Sequence, residues 1–138
     1  MKKVKKIVAL IALITVVICL FGCGKKVQTF EESVVITMDA KYMPIGKDSV
    51  LLDYMKKLKE DNQIDFTITN GFISSINGIE DVSGTKYWMV YTDDSEFSNK
   101  EWGEIVVNGK TYYSASLGAE SLPIKDGKTY VWGLVSFG

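Results

Sequence analysis

Lys86-Tyr87-Trp88-Met89-Val90-Tyr91-Thr92 alternates at a period of two, with Tyr87, Met89 and Tyr91 to one side and Trp88 and Val90 to the other. Aromatic and β-branched residues at that period predict a strand. The same reading extends outward. Downstream, residues 105–107, the turn pair Asn108-Gly109 and residues 110–114 spell a hairpin. Asp126-Gly127 is another turn. It leads into a last strand over 128–137, with Tyr130, Trp132 and Leu134 on one side and Val131, Val135 and Phe137 on the other. A strand apolar on both faces belongs inside a sheet. Upstream, residues 64–69 put Phe66 and Ile68 on one face, residues 71–76 form a second short strand or an extension, and Asn77-Gly78 turns the chain. Val34, Ile36 and Met38 alternate with Val35, Thr37 and Asp39 in a first strand that Met43-Pro44-Ile45-Gly46 interrupts.

Between the first two strands lies a helix over about 49–60, with Asp48 or Ser49 as its cap. Val50, Leu51, Tyr54, Met55 and Leu58 make one apolar stripe, and Lys56, Lys57 and Lys59 near the end suit the negative pole of the helix dipole. One helix and several strands in this order predict an α+β, β-grasp-like domain, with the helix packed on a mixed four- to five-stranded sheet. Residues 92–104, with Asp93, Asp94, Glu96, Phe97, Glu101 and Trp102, are the one long irregular stretch.

The N-terminus is of another kind. Lys2, Lys3, Lys5 and Lys6 precede an apolar run from Ile7 to Leu20, too short to span the roughly 20 residues that hydrocarbon requires. This is the pattern of a secretory signal peptide. Leu20-Phe21-Gly22-Cys23 resembles a bacterial lipobox. The resemblance implies cleavage after residue 22, lipid on Cys23, and anchorage at the extracytoplasmic face of a bacterial cell membrane. Two or three acyl chains hold a protein far more firmly than the marginal binding of one. The expected organisation is a signal peptide over 1–22, a lipidated Cys and polar linker over 23–32, and one domain over 33–138.

Composition limits the chemistry of that domain. Four of the 16 Lys lie in the leader and none of the 17 acids, so the remainder carries 12 against 17, a net charge of −5. Arg is absent, which sets nucleic-acid binding aside. His is absent as well, removing the commonest general base and metal ligand. Cys19 leaves with the leader and Cys23 is used by lipid, so neither a disulfide nor a thiolate nucleophile is expected. Ser74, Ser75, Ser114 and Ser116 have no His to complete a triad. Asp93, Asp94 and Glu96 lack the spacing of a calcium-binding helix-loop-helix and read as a solvated acidic loop. The expectation is therefore no enzyme, no catalytic residue and no metal. Trp88 has two readings, core packing or ligand contact. Trp132 reads as core, and Trp102 is a candidate for binding.

Three segments carry a further resemblance: residues 71–79 (GFISSINGI), residues 86–91 (KYWMVY), and Asp126-Gly127 with Tyr130-Val131-Trp132. Across residues 33–137 they resemble the transcobalamin-like C-terminal domain. This is the β-domain of transcobalamin and intrinsic factor, and a domain of unknown function in bacterial surface lipoproteins. The resemblance implies non-catalytic ligand binding, with a corrinoid of the cobalamin type as the candidate ligand. It places ligand contacts on Trp88, Met89, Val90, Tyr91 and Thr92, and on Tyr113, Ser114, Ala115, Ser116 and Leu117. Two features depart from the vitamin carriers. No helical domain is present to close over the other face of the ligand, and Met89 stands where the carriers have Gln. An interaction or adhesion module, docking a surface protein by its sheet edge or by the 92–104 stretch, is the alternative reading.

Overall fold

The computed structural model describes residues 27–29 and 32–136. The stretch expected as signal peptide (1–22), Cys23 and Phe137 lie outside the described residues. Among these residues, nine strands and one α-helix follow one another as β1 (Val27–Thr29), β2 (Ser33–Thr37), α1 (Leu51–Glu60), β3 (Phe66–Thr69), β4 (Phe72–Ile76), β5 (Ile79–Glu80), β6 (Lys86–Thr92), β7 (Ser98–Val107), β8 (Lys110–Ala115) and β9 (Thr129–Ser136). A single 3₁₀ turn, Ser95–Phe97, sits between β6 and β7.

The strands form two sheets, a six-stranded one in the order β1-β2-β9-β6-β8-β7 and a three-stranded one in the order β3-β4-β5. Every pairing is antiparallel. This corrects the expected β-grasp-like arrangement of one helix on a mixed four- to five-stranded sheet. The molecule is mostly β, with two antiparallel sheets. The physical reason lies in the connections. A parallel pair needs a crossover that returns the chain to the same sheet. The strand after α1 enters the small sheet instead, and the 116–128 connection carries the chain from β8 past β6 to β9, so these two like-directed strands are separated by the antiparallel β6. The other short connections are tight turns, with Asn70-Gly71, Asn77-Gly78 and Asn108-Gly109 all at positive φ, which hold neighbours antiparallel.

The two faces of the large sheet are both apolar, as the alternation in β6 and β9 requires. Val34, Ile36, Trp88, Val90, Tyr130 and Trp132 look toward α1 and the small sheet. There they meet Leu51, Leu52, Tyr54, Met55 and Leu58 of the helix and Phe66, Ile73 and Ile76 of the small sheet. The helix stripe is thus core, and each of its larger side chains contributes about 1.5–3 kcal/mol by burial. The indole N–H of Trp132 points at Met55 Sδ, 3.3 Å away.

The opposite face buries Val35, Tyr91, Tyr112 and Val131, with Met89, Ile105, Val107 and Val135 packed against them. The β7–β8 hairpin supplies part of this cover by folding over the sheet. In a flat sheet β7 and β9 would lie three strand spacings, roughly 14 Å, apart. Instead, a Cβ on Gly133 of β9 would meet Ile105 Cδ1 of β7 at 2.6 Å. The missing side chain at Gly133 is what admits Ile105.

The helix ends are set by short-range chemistry. The N-cap is Val50 rather than Asp48 or Ser49. Asp53 Oδ2 accepts the Val50 N–H at 3.2 Å, and Ser49 instead accepts the Gly46 N–H through its hydroxyl at 2.9 Å. At the other end Asn62 takes φ 57°. The N–H groups of Asn62 and Gln63 return to the carbonyls of Lys59 and Leu58, a Schellman closure. Val27–Thr29, within the stretch expected as polar linker, forms an edge strand against β2.

Candidate ligand-binding cleft

β6 pairs with β9 along its whole length, from Lys86 to Thr92. Its other edge meets β8 only at Tyr91↔Ser114 and Thr92↔Tyr113. Past that short ladder the two strands diverge. Among the described residues, Trp88, Met89 and Val90 have a ladder partner on the β9 side alone. A cleft of about 650 Å³ occupies the gap. Four consecutive residues of one strand, Trp88 to Tyr91, line it. Alternating side chains do this only where a strand presents its edge, and an edge also exposes backbone N–H and C=O groups to an occupant.

The wall opposite β6 is the chain leaving β8, residues 114–120. It is fixed from behind. The first free N–H groups of α1, on Leu51 and Leu52, donate to the carbonyls of Leu122 (2.9 Å) and Ala119 (3.0 Å). The helix therefore satisfies its own N-terminal donors by holding the cleft wall. Ser116 N–H donates to Phe97 O at 2.8 Å, which ties the same wall to the 3₁₀ turn.

Two lips complete the cleft, each carrying an exposed aromatic residue. The first comes from the small sheet, where the Asn70-Gly71 turn, with φ values of 53° and 83°, starts β4 at Phe72. Phe72 is 77% exposed, and Ile68 beside it on β3 also lines the cleft. The second lip comes from β7. Its ladder with β8 passes from Asn99↔Ser114 directly to Glu104↔Tyr113, so residues 100–103 form an excursion with no partner in β8. Asn99 Oδ1 accepts the Glu101 N–H at 2.9 Å, and Gly103 at φ 126° returns the chain to the strand. The excursion carries Trp102 into the lining with 64% of its surface still open. Exposed aromatics this large usually mark a binding surface when they cluster, and here both border one cavity.

The lining is mostly apolar, with polarity from Ser114, Ser116, Glu104 and Glu120. Burial pushes the Tyr91 phenol upward, which keeps it neutral. Glu104 and Glu120 are exposed carboxylates at the mouth, and no Lys lies in the lining.

Of the ten residues implied as ligand contacts, the structure gathers Trp88, Met89, Val90, Tyr91, Ser114, Ala115, Ser116 and Leu117 around this one cleft. Thr92 and Tyr113 are not in the lining. They face each other in the last rung of the β6–β8 ladder, which closes the cleft at that end. Thr92 is fully buried, donating to Thr129 O at 2.9 Å and accepting the Asp94 N–H at 3.0 Å. The Lys100 ammonium lies over the Tyr113 ring, 5.0 Å from its centroid. Trp88 packs in the core, 6% exposed with its indole N–H donated to Ile79 O at 3.0 Å, and it also lines the cleft. Phe72, Ile68, Glu104 and Glu120 were missed by the sequence reading. The signal for the first two was the Asn-Gly pair at 70–71, a hairpin turn directly before a large aromatic residue.

The acidic stretch differs from the expected solvated loop. Asp94 is 2% exposed. It caps the 3₁₀ turn through the Glu96 N–H at 3.1 Å, and the Lys125 ammonium straddles its two oxygens at 3.1 and 3.0 Å. Glu96 and Asp94 together push the Lys125 ammonium pKa up. Asp93 accepts the Thr129 N–H at 2.9 Å and pairs with Lys110 at 3.0 Å, raising the pKa of that ammonium too. These carboxylates latch the start of β9 and the 123–126 loop to the end of β6.

Residues 48–108, from the N-terminal side of α1 to the end of β7, match a family described as a domain of unknown function (DUF4430). The match lies inside the stretch that resembles the transcobalamin-like domain, and it includes both aromatic lips and the open strand edge. Neither a curated protein nor a solved structure matches the chain.

Proposed function

We propose that this protein is a membrane-anchored extracytoplasmic lipoprotein, held by lipid on Cys23, whose domain binds a small, flat, largely apolar ligand without catalysis. One observation carries the reading: a cleft of about 650 Å³ opens along an unpaired strand edge between Phe72 and Trp102, two aromatics left largely exposed. That volume falls within the range of about 300–1,000 Å³ typical of small-ligand sites. A ligand with flat faces gains aromatic contact from the lips, while the open edge of β6 and the hydroxyls of Ser114 and Ser116 offer hydrogen bonds. The finer identification, a transcobalamin-like domain taking a corrinoid, rests on the sequence resemblance and on the convergence of eight of the implied contacts on the cleft. A corrin would lie with one face in the cleft and the other toward solvent or a partner.

Calorimetric titration of the full chain in detergent with cobinamide and with cobalamin tests the corrinoid assignment. A saturable heat, weakened about five- to thirtyfold by Trp102→Ala for a loss of about 1–2 kcal/mol, is expected. Flat traces at millimolar ligand would remove the corrinoid. Metabolic palmitate labelling tests the anchor: label should enter the wild-type chain and not the Cys23→Ala chain.

A second reading, a surface-protein interaction module, is favoured by the same open edge of β6, since an extended segment can add to an exposed strand. Capture of a specific partner from solubilised membranes, lost on Trp102→Ala, would favour it over a small ligand.

A further inference from the structure

Charge is distributed unevenly around the cleft. Glu104 stands at the foot of the β7 excursion and Glu120 on the opposite wall. The Glu120 carboxylate lies over the small-sheet turn, with Oε1 3.8 Å from where a Cβ on Gly71 would be. Both side chains line the cavity and both are exposed. No salt bridge joins either of them to a cation among the described residues. The lining contains no Lys. Lys100, the basic residue nearest the Trp102 lip in sequence, lies over the Tyr113 ring, and Tyr113 is not part of the lining. An anion entering the cleft would meet two uncompensated carboxylates. A cation would meet the same carboxylates together with the electron-rich face of an exposed indole.

We infer that the cleft selects by charge, taking flat ring ligands that carry a positive charge, with neutral ones weaker and anionic ones weakest. This rests on the ligand-binding reading above and specifies its ligand class. Glu104 and Glu120 supply the selectivity by Coulombic attraction at the mouth, and Trp102 adds a cation–π contact. Since both carboxylates are solvated, the discrimination is moderate and screened by salt.

Three ligands of one ring skeleton separate charge from shape: tryptamine, indole and indole-3-acetate, titrated into the isotope-labelled full chain in detergent micelles and followed by NMR. Tryptamine is expected to bind about three- to tenfold more tightly than indole, with indole-3-acetate weaker than both. Within the double variant Glu104→Gln/Glu120→Gln, tryptamine and indole should bind with the same affinity. Both positions are exposed, so the variant is expected to fold. If the three ligands bind the cleft alike, or the double variant keeps the tryptamine preference, the charge selectivity is wrong while the binding reading stands. If none of the three perturbs the cleft at millimolar concentration, both are wrong.

Discussion

Gly133 shows how one absent side chain fixes the curvature of a sheet. It lies in β9 opposite Met89 of β6, on the face over which the β7–β8 hairpin folds. Ile105 fills the space a Cβ would need, 2.6 Å away, with Tyr91 Cε2 at 3.7 Å. Gly133→Ala is expected to destabilise by about 1–3 kcal/mol, the usual cost of overpacking. Denaturant unfolding would measure it, and Ile105→Ala in the same chain should recover part of the loss by vacating the site. At this scale much was legible. The alternation in β6 and β9 assigned the faces of Trp88, Val90, Tyr130 and Trp132, because a period of two is a backbone property. What could not be read was the meeting of Gly133 with Ile105, since it depends on how strands distant in sequence coil over one another. Thr92 and Tyr113 fall outside the lining for a related reason: only the register of β8 shows that they form the closing rung.

The β7 excursion is an element with a separable purpose. Residues 100–103 interrupt a ladder that is regular on both sides, so deleting them would place Asn99 and Glu104 next to each other opposite Ser114 and Tyr113. The shortened chain is expected to keep its fold, with a thermal midpoint close to that of the full chain. It should lose ligand affinity by at least about fivefold through removal of Trp102. A thermal melt and a ligand titration on the same sample check both halves. A collapse in stability would mean that the excursion is structural. The first half of β7 was hidden in the sequence because Ser98-Asn99-Lys100-Glu101 has neither alternation nor β-branched residues. Its pairing is imposed by β8. The turn at Asn70-Gly71 was legible in principle, since Asn-Gly demands positive φ at both positions as firmly there as at Asn77-Gly78.

At the scale of the whole molecule, two sheets and one helix enclose phenols that set its tolerance of alkali. Burial pushes Tyr54 and Tyr130 up to about 12, and it drives Tyr42 upward as well, helped by the Asp61 carboxylate. Free phenols titrate near about 10. Below that pH both folded and unfolded chains hold these protons, and the stability they contribute is intact. Above it the unfolded chain releases them first, so stability falls as pH rises from about 10 toward 12. The urea midpoint should drop across that window, and tyrosinate absorbance from Tyr54 and Tyr130 should appear only with unfolding. Tyr54→Phe should flatten the slope. The strands and the helix were readable one by one, but the division into two sheets was not, because nothing local in residues 66–80 says which sheet those strands join. The central claim is that the space between the open edge of β6 and the wall after β8, lipped by Phe72 and Trp102, is a ligand site. Backbone and indole NMR shifts of the full chain, with saturating indole, test it most directly. The account predicts shifts at the Trp102 indole N–H, at Phe72, and along residues 88–91 and 114–118. Shifts confined to other surfaces, with Trp102 and residues 88–91 unmoved, would contradict it.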